Sequence, residues 1–163
     1  MSGATAKRGE HTRKWLVVLD NTPECIKAVS FAAHRVRHTG GTIVLLVVNE
    51  PEEFQHWVGV EDVLRAEKLQ AAETLFEQYE SKIRASGDIT VEKVVREGGR
   101  ASEVEALIKQ DTDIVILVLA SGTSAEGPGP LVSLIASRSA NGFPIPVAIV
   151  PGTLSEAEIE ALS

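Results

Sequence analysis

Two stretches of the chain hold residue types whose spacing could do chemistry. Asp20 stands directly after the apolar run Trp15–Leu19, where a carboxylate can accept hydrogen bonds from an aromatic amine or a sugar hydroxyl. The same position equally suits a carboxylate at the start of a helix, satisfied by local amides. The second stretch is Ser121–Ser133, with the sequence SGTSAEGPGPLVS. Gly122, Gly127 and Gly129 would let backbone amides approach a phosphate, and Ser121, Thr123, Ser124 and Ser133 add hydroxyls. A helix after this loop would point its positive end the same way. Against that, the stretch has no lysine or arginine, and Glu126 would repel an anion. Pro128 and Pro130 also lack amide donors. A plain ordered loop fits these residues as well as a phosphate cradle does.

Other chemistry finds little support. Cys25 is the only cysteine, so no internal disulfide can form. A cysteine at a helix start can have a lowered pKa, but no CxxC and no neighbouring base accompany it, and a buried, inert thiol is expected. His11, His34, His38 and His56 are scattered, and no metal site is expected. GxSxG, GxxxxGK[ST] and HExxH are absent, as is GxGxxG after the first strand. A response-regulator reading fails too: the third strand ends in Arg96-Glu97-Gly98, not in a phosphoacceptor Asp, and the fifth in Pro151-Gly152, not in a Lys. No efficient catalysis is expected.

The elements that must hold these residues follow from composition and pattern. Of the 163 residues, 44% are hydrophobic but only 4% aromatic, so the core is built from Val, Ile, Leu and Ala. That composition suits a parallel sheet covered on both faces. Five runs read as strands: Trp15–Leu19, Ile43–Val48, Thr90–Val95, Ile114–Leu119 and Val147–Val150. Helical spacing separates them. Thr22 would cap the first helix, with Pro23 at its first position and Ile26, Val29, Ala33 and Val36 on its buried face. Leu69, Ala72, Phe76, Tyr79 and Ile83 form the stripe of the second helix, Val104, Leu107 and Ile108 that of the third, and a fourth starts near Leu131. A βαβαβαβαβ order predicts an α/β three-layer sandwich with right-handed crossovers. In such sheets ligands bind beyond the carboxyl ends of the strands, where strand order reverses. That points to Asp20, to Val48 with Asn49, to Gly98 with Gly99, and to the loop after the fourth strand.

Residues 1–13 read as a disordered tail with a small basic cluster, 14–152 as one domain, and 153–163 as a C-terminal tail. Ser155 and Glu158 in that tail have capping-box spacing. The formal charge of −7, from 16 basic and 23 acidic residues, argues against general binding to nucleic acid or anionic lipid. The longest apolar run, Ile114–Ala120, is far shorter than the ~20 residues that span a bilayer. No apolar run follows the basic N-terminal residues, and the expected location is the cytoplasm.

From Lys14 to Pro151 the chain resembles the universal stress protein family. The resemblance rests on Lys14–Thr22 (KWLVVLDNT), on Ile43–Asn49, on Arg96-Glu97-Gly98 followed by a short helix, Asp113 and an apolar strand, and on Pro146–Pro151. It implies a sheet of order 3-2-1-4-5, adenine nucleotide alpha hydrolase-like, and a homodimer joined along the fifth strand. ATP-binding members of the family use the Asp after strand one, a residue ending strand two, and a pattern after strand four of Gly-x-x-Gly, nine residues, then Gly with Ser or Thr. Carried over, ATP or AMP would be held by Asp20, Val48, Gly122, Gly127, Gly129 and Ser133, with adenine or ribose near Asp20 and Val48. This sequence departs from the glycine pattern: no two glycines from Gly122 to Gly129 are three apart, and Ser133-Leu134 stands where Gly-Ser/Thr is expected. Two functions follow as alternatives. One is a stress protein that binds an adenine nucleotide weakly, and the other is a dimeric adaptor that acts through protein contacts alone.

Overall fold

The five apolar runs become strands because each is apolar on both faces and punctuated by Gly, Pro, Asn or Asp. They are β1 (Lys14–Leu19), β2 (Thr42–Asn49), β3 (Thr90–Glu97), β4 (Ile114–Ser121) and β5 (Val147–Pro151). Among the described residues, five helices alternate with and follow them: α1 (Cys25–Thr39), α2 (Val60–Ser86), α3 (Arg100–Gln110), α4 (Pro130–Ser139) and α5 (Glu156–Leu162). The computed structural model describes residues 13–51, 60–139 and 142–163. The expectations for residues 1–12 and for Phe54, His56 and Trp57 lie outside that set.

All strand pairings are parallel, and the sheet order is β3-β2-β1-β4-β5, as the resemblance implied. Each crossover places its helix on one face. The first core cluster joins Val17, Leu19, Leu45 and Val118 of the sheet to α1, to Phe76, Tyr79 and Ile83 of α2, and to Ile159 of α5. The second, on the opposite face, joins Leu16, Val44, Leu46 and Leu117 to Val104 and Leu107 of α3 and Ile135 of α4. Burial of one such aliphatic side chain contributes roughly 1.5–3 kcal/mol, so the sheet flanked on both faces carries most of the stability.

Three local expectations change. Leu69 belongs by period to the buried stripe of α2 but is 47% exposed, whereas Ala72, Phe76, Tyr79 and Ile83 are buried. Length explains this: the 27 residues of α2 extend about 40 Å, against about 26 Å for an eight-residue strand. The first turns of α2 therefore overhang the sheet. Thr22, in turn, does not cap α1; the Asp20 carboxylate takes its amide and its hydroxyl instead, and the helix begins at Cys25. Residues Ser155–Leu162 do form the capped helix that their spacing suggests: the Glu158 amide donates to Ser155 Oγ at 3.1 Å, and the Ser155 amide donates to Glu158 Oε1 at 3.2 Å. The difference is that this helix is packed onto α1 through the fully buried Ile159, not trailing from the domain.

Candidate functional site

The strand order reverses between β1 and β4, so the loops after them run to opposite faces and leave a crevice. Its lining includes Asp20, Thr22, Glu24 and Cys25 from the β1–α1 side, and Gly129, Pro130, Leu131 and Val132 from the start of α4. Arg100, the first residue of α3, completes it. The enclosed volume is about 70 Å³, against the roughly 300 Å³ or more of pockets that hold drug-sized ligands.

Asp20 takes up the local role that its position allowed, and it also lines the crevice. Its Oδ1 accepts from the Thr22 amide at 2.9 Å and from the Thr22 hydroxyl, forming an Asx turn that leads the chain into α1. Its second oxygen takes no part in this turn. Cys25, one turn on, is buried beneath it, and burial pushes the thiol up to about 11. The thiol therefore stays protonated at neutral pH and is no nucleophile. Tyr79 behind it is pushed up as well, again mainly by burial. Among the described residues no group of three or more His, Cys, Asp or Glu could hold a metal ion.

Of the six residues singled out from sequence, Asp20 and Gly129 meet in the crevice. Gly129 has φ +106°, a left-handed conformation that lets the loop turn sharply into α4. Val48 is buried in the second core cluster and does not line the crevice. The Gly122 amide donates to the Pro128 carbonyl at 2.9 Å, and that of Gly127 to the Ser124 carbonyl at 3.1 Å, so both serve the loop itself. Ser133 is exposed, and its amide donates to the Gly129 carbonyl as the first bond of α4. What remains open at that helix start are the amides of Gly129, Leu131 and Val132, which precede the first intrahelical donor, Ser133.

Arg100 went unnoticed because no basic residue lies in the loop after β4. It arrives from another connection: the crossover from edge strand β3 to β4 must pass β2 and β1, which brings the start of α3 inward. The available signal was an arginine placed directly after Gly98-Gly99, at the carboxyl end of a strand. The Arg100 Nε lies 3.7 Å from Glu50 Oε1. Lys68 from the overhanging part of α2 donates to the Glu50 carbonyl at 2.7 Å, holding the end of β2 in place. The crevice is thus bordered by Asp20 and Glu24 from the β1–α1 side, and by Arg100 and the open amides of Gly129, Leu131 and Val132 from the starts of α3 and α4.

A parallel sheet of this order, with its crevice at the reversal of strand order, defines a doubly wound α/β protein. The chain belongs to the universal stress protein family, whose family model matches residues 11–151. Among solved structures, it is similar to universal stress protein UspA from Lactobacillus plantarum, at 18% identity and a TM-score of 0.68, over 86% of this chain and 98% of that one. A universal stress protein from Archaeoglobus fulgidus in complex with dAMP is similar at 14% identity and a TM-score of 0.57, over 85% of this chain and 97% of that one. A universal stress protein family protein from Arabidopsis thaliana with AMP bound matches at 14% identity and a TM-score of 0.57, over 85% of this chain and 91% of that one. At these identities the likeness shows the fold. No curated protein matches the sequence.

Proposed function

We propose that this protein is a stress-response protein that binds an adenine nucleotide, weakly and without efficient turnover, in the crevice between β1 and β4. The observation that carries this reading is the pairing of a half-free Asp20 carboxylate with the open start of α4 across one crevice at the strand-order reversal. The dAMP and AMP complexes of similar proteins point to the same ligand class. Ribose hydroxyls or the adenine amine would donate to Asp20, and phosphate would meet the Leu131 and Val132 amides. Gly129 would supply the turn, while Val48, Gly122, Gly127 and Ser133 would shape the surroundings. The proposal places the protein in the cytoplasm, where such nucleotides are abundant.

Titration calorimetry with AMP and with ATP plus Mg²⁺ tests this. Binding in the micromolar range or weaker is expected, and Asp20→Asn should weaken it by about tenfold, the loss of one charge-assisted hydrogen bond. Asparagine keeps an acceptor for Thr22, so the loss would report on the ligand contact and not on the turn. Absence of heat at millimolar nucleotide would favour the adaptor function, and binding indifferent to Asp20→Asn would move the site elsewhere.

The same reading includes a homodimer through β5. That strand has β4 as its one neighbour in the sheet, and Ile149 on it is 41% exposed. An open apolar edge invites a second copy. Light scattering should give twice the chain mass at micromolar concentration, and Ile149→Lys should shift the population toward monomer. A wild-type protein that stays monomeric there would refute the dimer.

A further inference from the structure

We propose that Arg100 makes this crevice selective for a nucleoside monophosphate, and that Glu50 is a built-in competitor which the phosphate displaces. The inference rests on the adenine-nucleotide reading above and adds to it which phosphate state is chosen, and by which residue.

The position of Arg100 has no structural explanation within α3. That helix packs through Ala101, Val104, Leu107 and Ile108, and Arg100 belongs to none of this face. A cation at the first position of a helix is opposed by the helix dipole, where an acidic residue would be favoured. What Arg100 does instead is line the crevice together with Leu131 and Val132, so two helix starts, one of them carrying an arginine, border the same space. Its ion pair with Glu50 is long, at 3.7 Å, and the Glu50 side chain is 59% exposed. Pairs of that kind are weak, whereas a phosphate can take a guanidinium with two parallel hydrogen bonds. Exchange of Glu50 for phosphate is therefore favourable, and it leaves Glu50 free in water.

The donor inventory limits how many phosphates can be held. Pro130 has no amide, the Ser133 amide is taken by Gly129, and those of Gly122 and Gly127 are taken within the loop. The amides of Gly129, Leu131 and Val132 and one arginine remain, a set sized for a single phosphate group. Neither Asp20 nor Glu24 in the crevice welcomes further negative charge, and no lysine lines it. The loop above presents an exposed Glu126, and the chain as a whole carries −7. Second and third phosphates would find repulsion in place of donors.

Calorimetry with AMP, ATP and adenosine on the wild type, Arg100→Ala and Glu50→Gln tests the proposal, with thermal melting to confirm that each variant is folded. AMP should bind the wild type at least about tenfold tighter than either ATP or adenosine. Arg100→Ala should reduce AMP to the level of adenosine and leave adenosine itself unchanged. Glu50→Gln should tighten AMP by about two- to fivefold, because the competitor is gone. Equal AMP affinity in wild type and Arg100→Ala, or ATP binding as tightly as AMP, would overturn the assignment of Arg100 while leaving nucleotide binding intact. An unchanged AMP affinity in Glu50→Gln would overturn the competitor role. If none of the three ligands binds any variant, both the selectivity and the underlying nucleotide reading are wrong.

Discussion

Ile159→Ala is expected to lower the stability of this protein by about 2–5 kcal/mol, the usual cost of deleting a fully buried Ile side chain. For a chain of this size that corresponds to a fall in Tm of roughly 4–20 °C. The reason is that α5 is bound to the body of the protein at several points. Ile159 is completely buried, its helix lies on α1, and Leu154 packs against the same core cluster. Ser30 Oγ donates to Glu156 Oε1 at 3.0 Å, and Arg35 Nη1 donates to the Ser163 carbonyl at 3.0 Å. Arg35 also lies over the Trp15 ring, 5.9 Å from its centroid, so the contact continues into β1. Deleting residues 153–163 should cost at least as much as Ile159→Ala. Thermal melting of both variants checks this, and a shift below about 2 °C in either would mean that the segment is only loosely attached.

The second large effect is expected at Gly152, just past β5. Its amide donates to the Ser121 carbonyl at 3.1 Å, tying the end of β5 to the end of β4. A Cβ at this position would lie 2.5 Å from the Ser121 carbonyl oxygen, 3.0 Å from Thr123 Cγ2 and 3.1 Å from Glu24 Cβ. Two effects of Gly152→Ala oppose each other. Restricting the unfolded chain stabilises by about 0.4–1 kcal/mol, while forcing a methyl group against backbone costs typically about 1–3 kcal/mol. The clash should win because a carbonyl oxygen of the sheet cannot swing aside as a side chain does. Relief would come by displacing residues 121–123 and Glu24, which flank the crevice, so nucleotide affinity should fall together with stability. Urea unfolding and calorimetry measure the two losses. A variant more stable than the wild type would show that the close approach is easily relieved.

Much of the architecture was legible because the forces that set it are local or periodic. Runs such as Ile43–Val48 can only be strands buried on both faces, and the helical spacing between them dictates parallel crossovers. The capping box of Ser155 and Glu158 could be read because its partners are three residues apart and need nothing else. Asp20 was recognisable as a residue of the crevice because the end of β1 must border the reversal of strand order. Where two local preferences competed, reading them singly failed. Thr22 is a good helix cap in isolation, but the Asp20 carboxylate, two residues back, is the stronger acceptor and takes its donors.

Folding decided what no window of residues contains. Leu69 is exposed because α2 outruns the strands beneath it, a matter of two lengths compared in space. The amides of Gly122 and Gly127 are spent inside their own loop, which shows only once that loop has closed on Pro128 and Ser124. Arg100 meets Asp20 and the start of α4 because the β3–β4 crossover returns over the centre of the sheet. Ile159 becomes core because α1 offers it a place in the first cluster. Residue pattern specifies which side a segment buries, since that depends on neighbours along the chain; which groups converge depends on strand order and helix length, and those are properties of the assembled sheet.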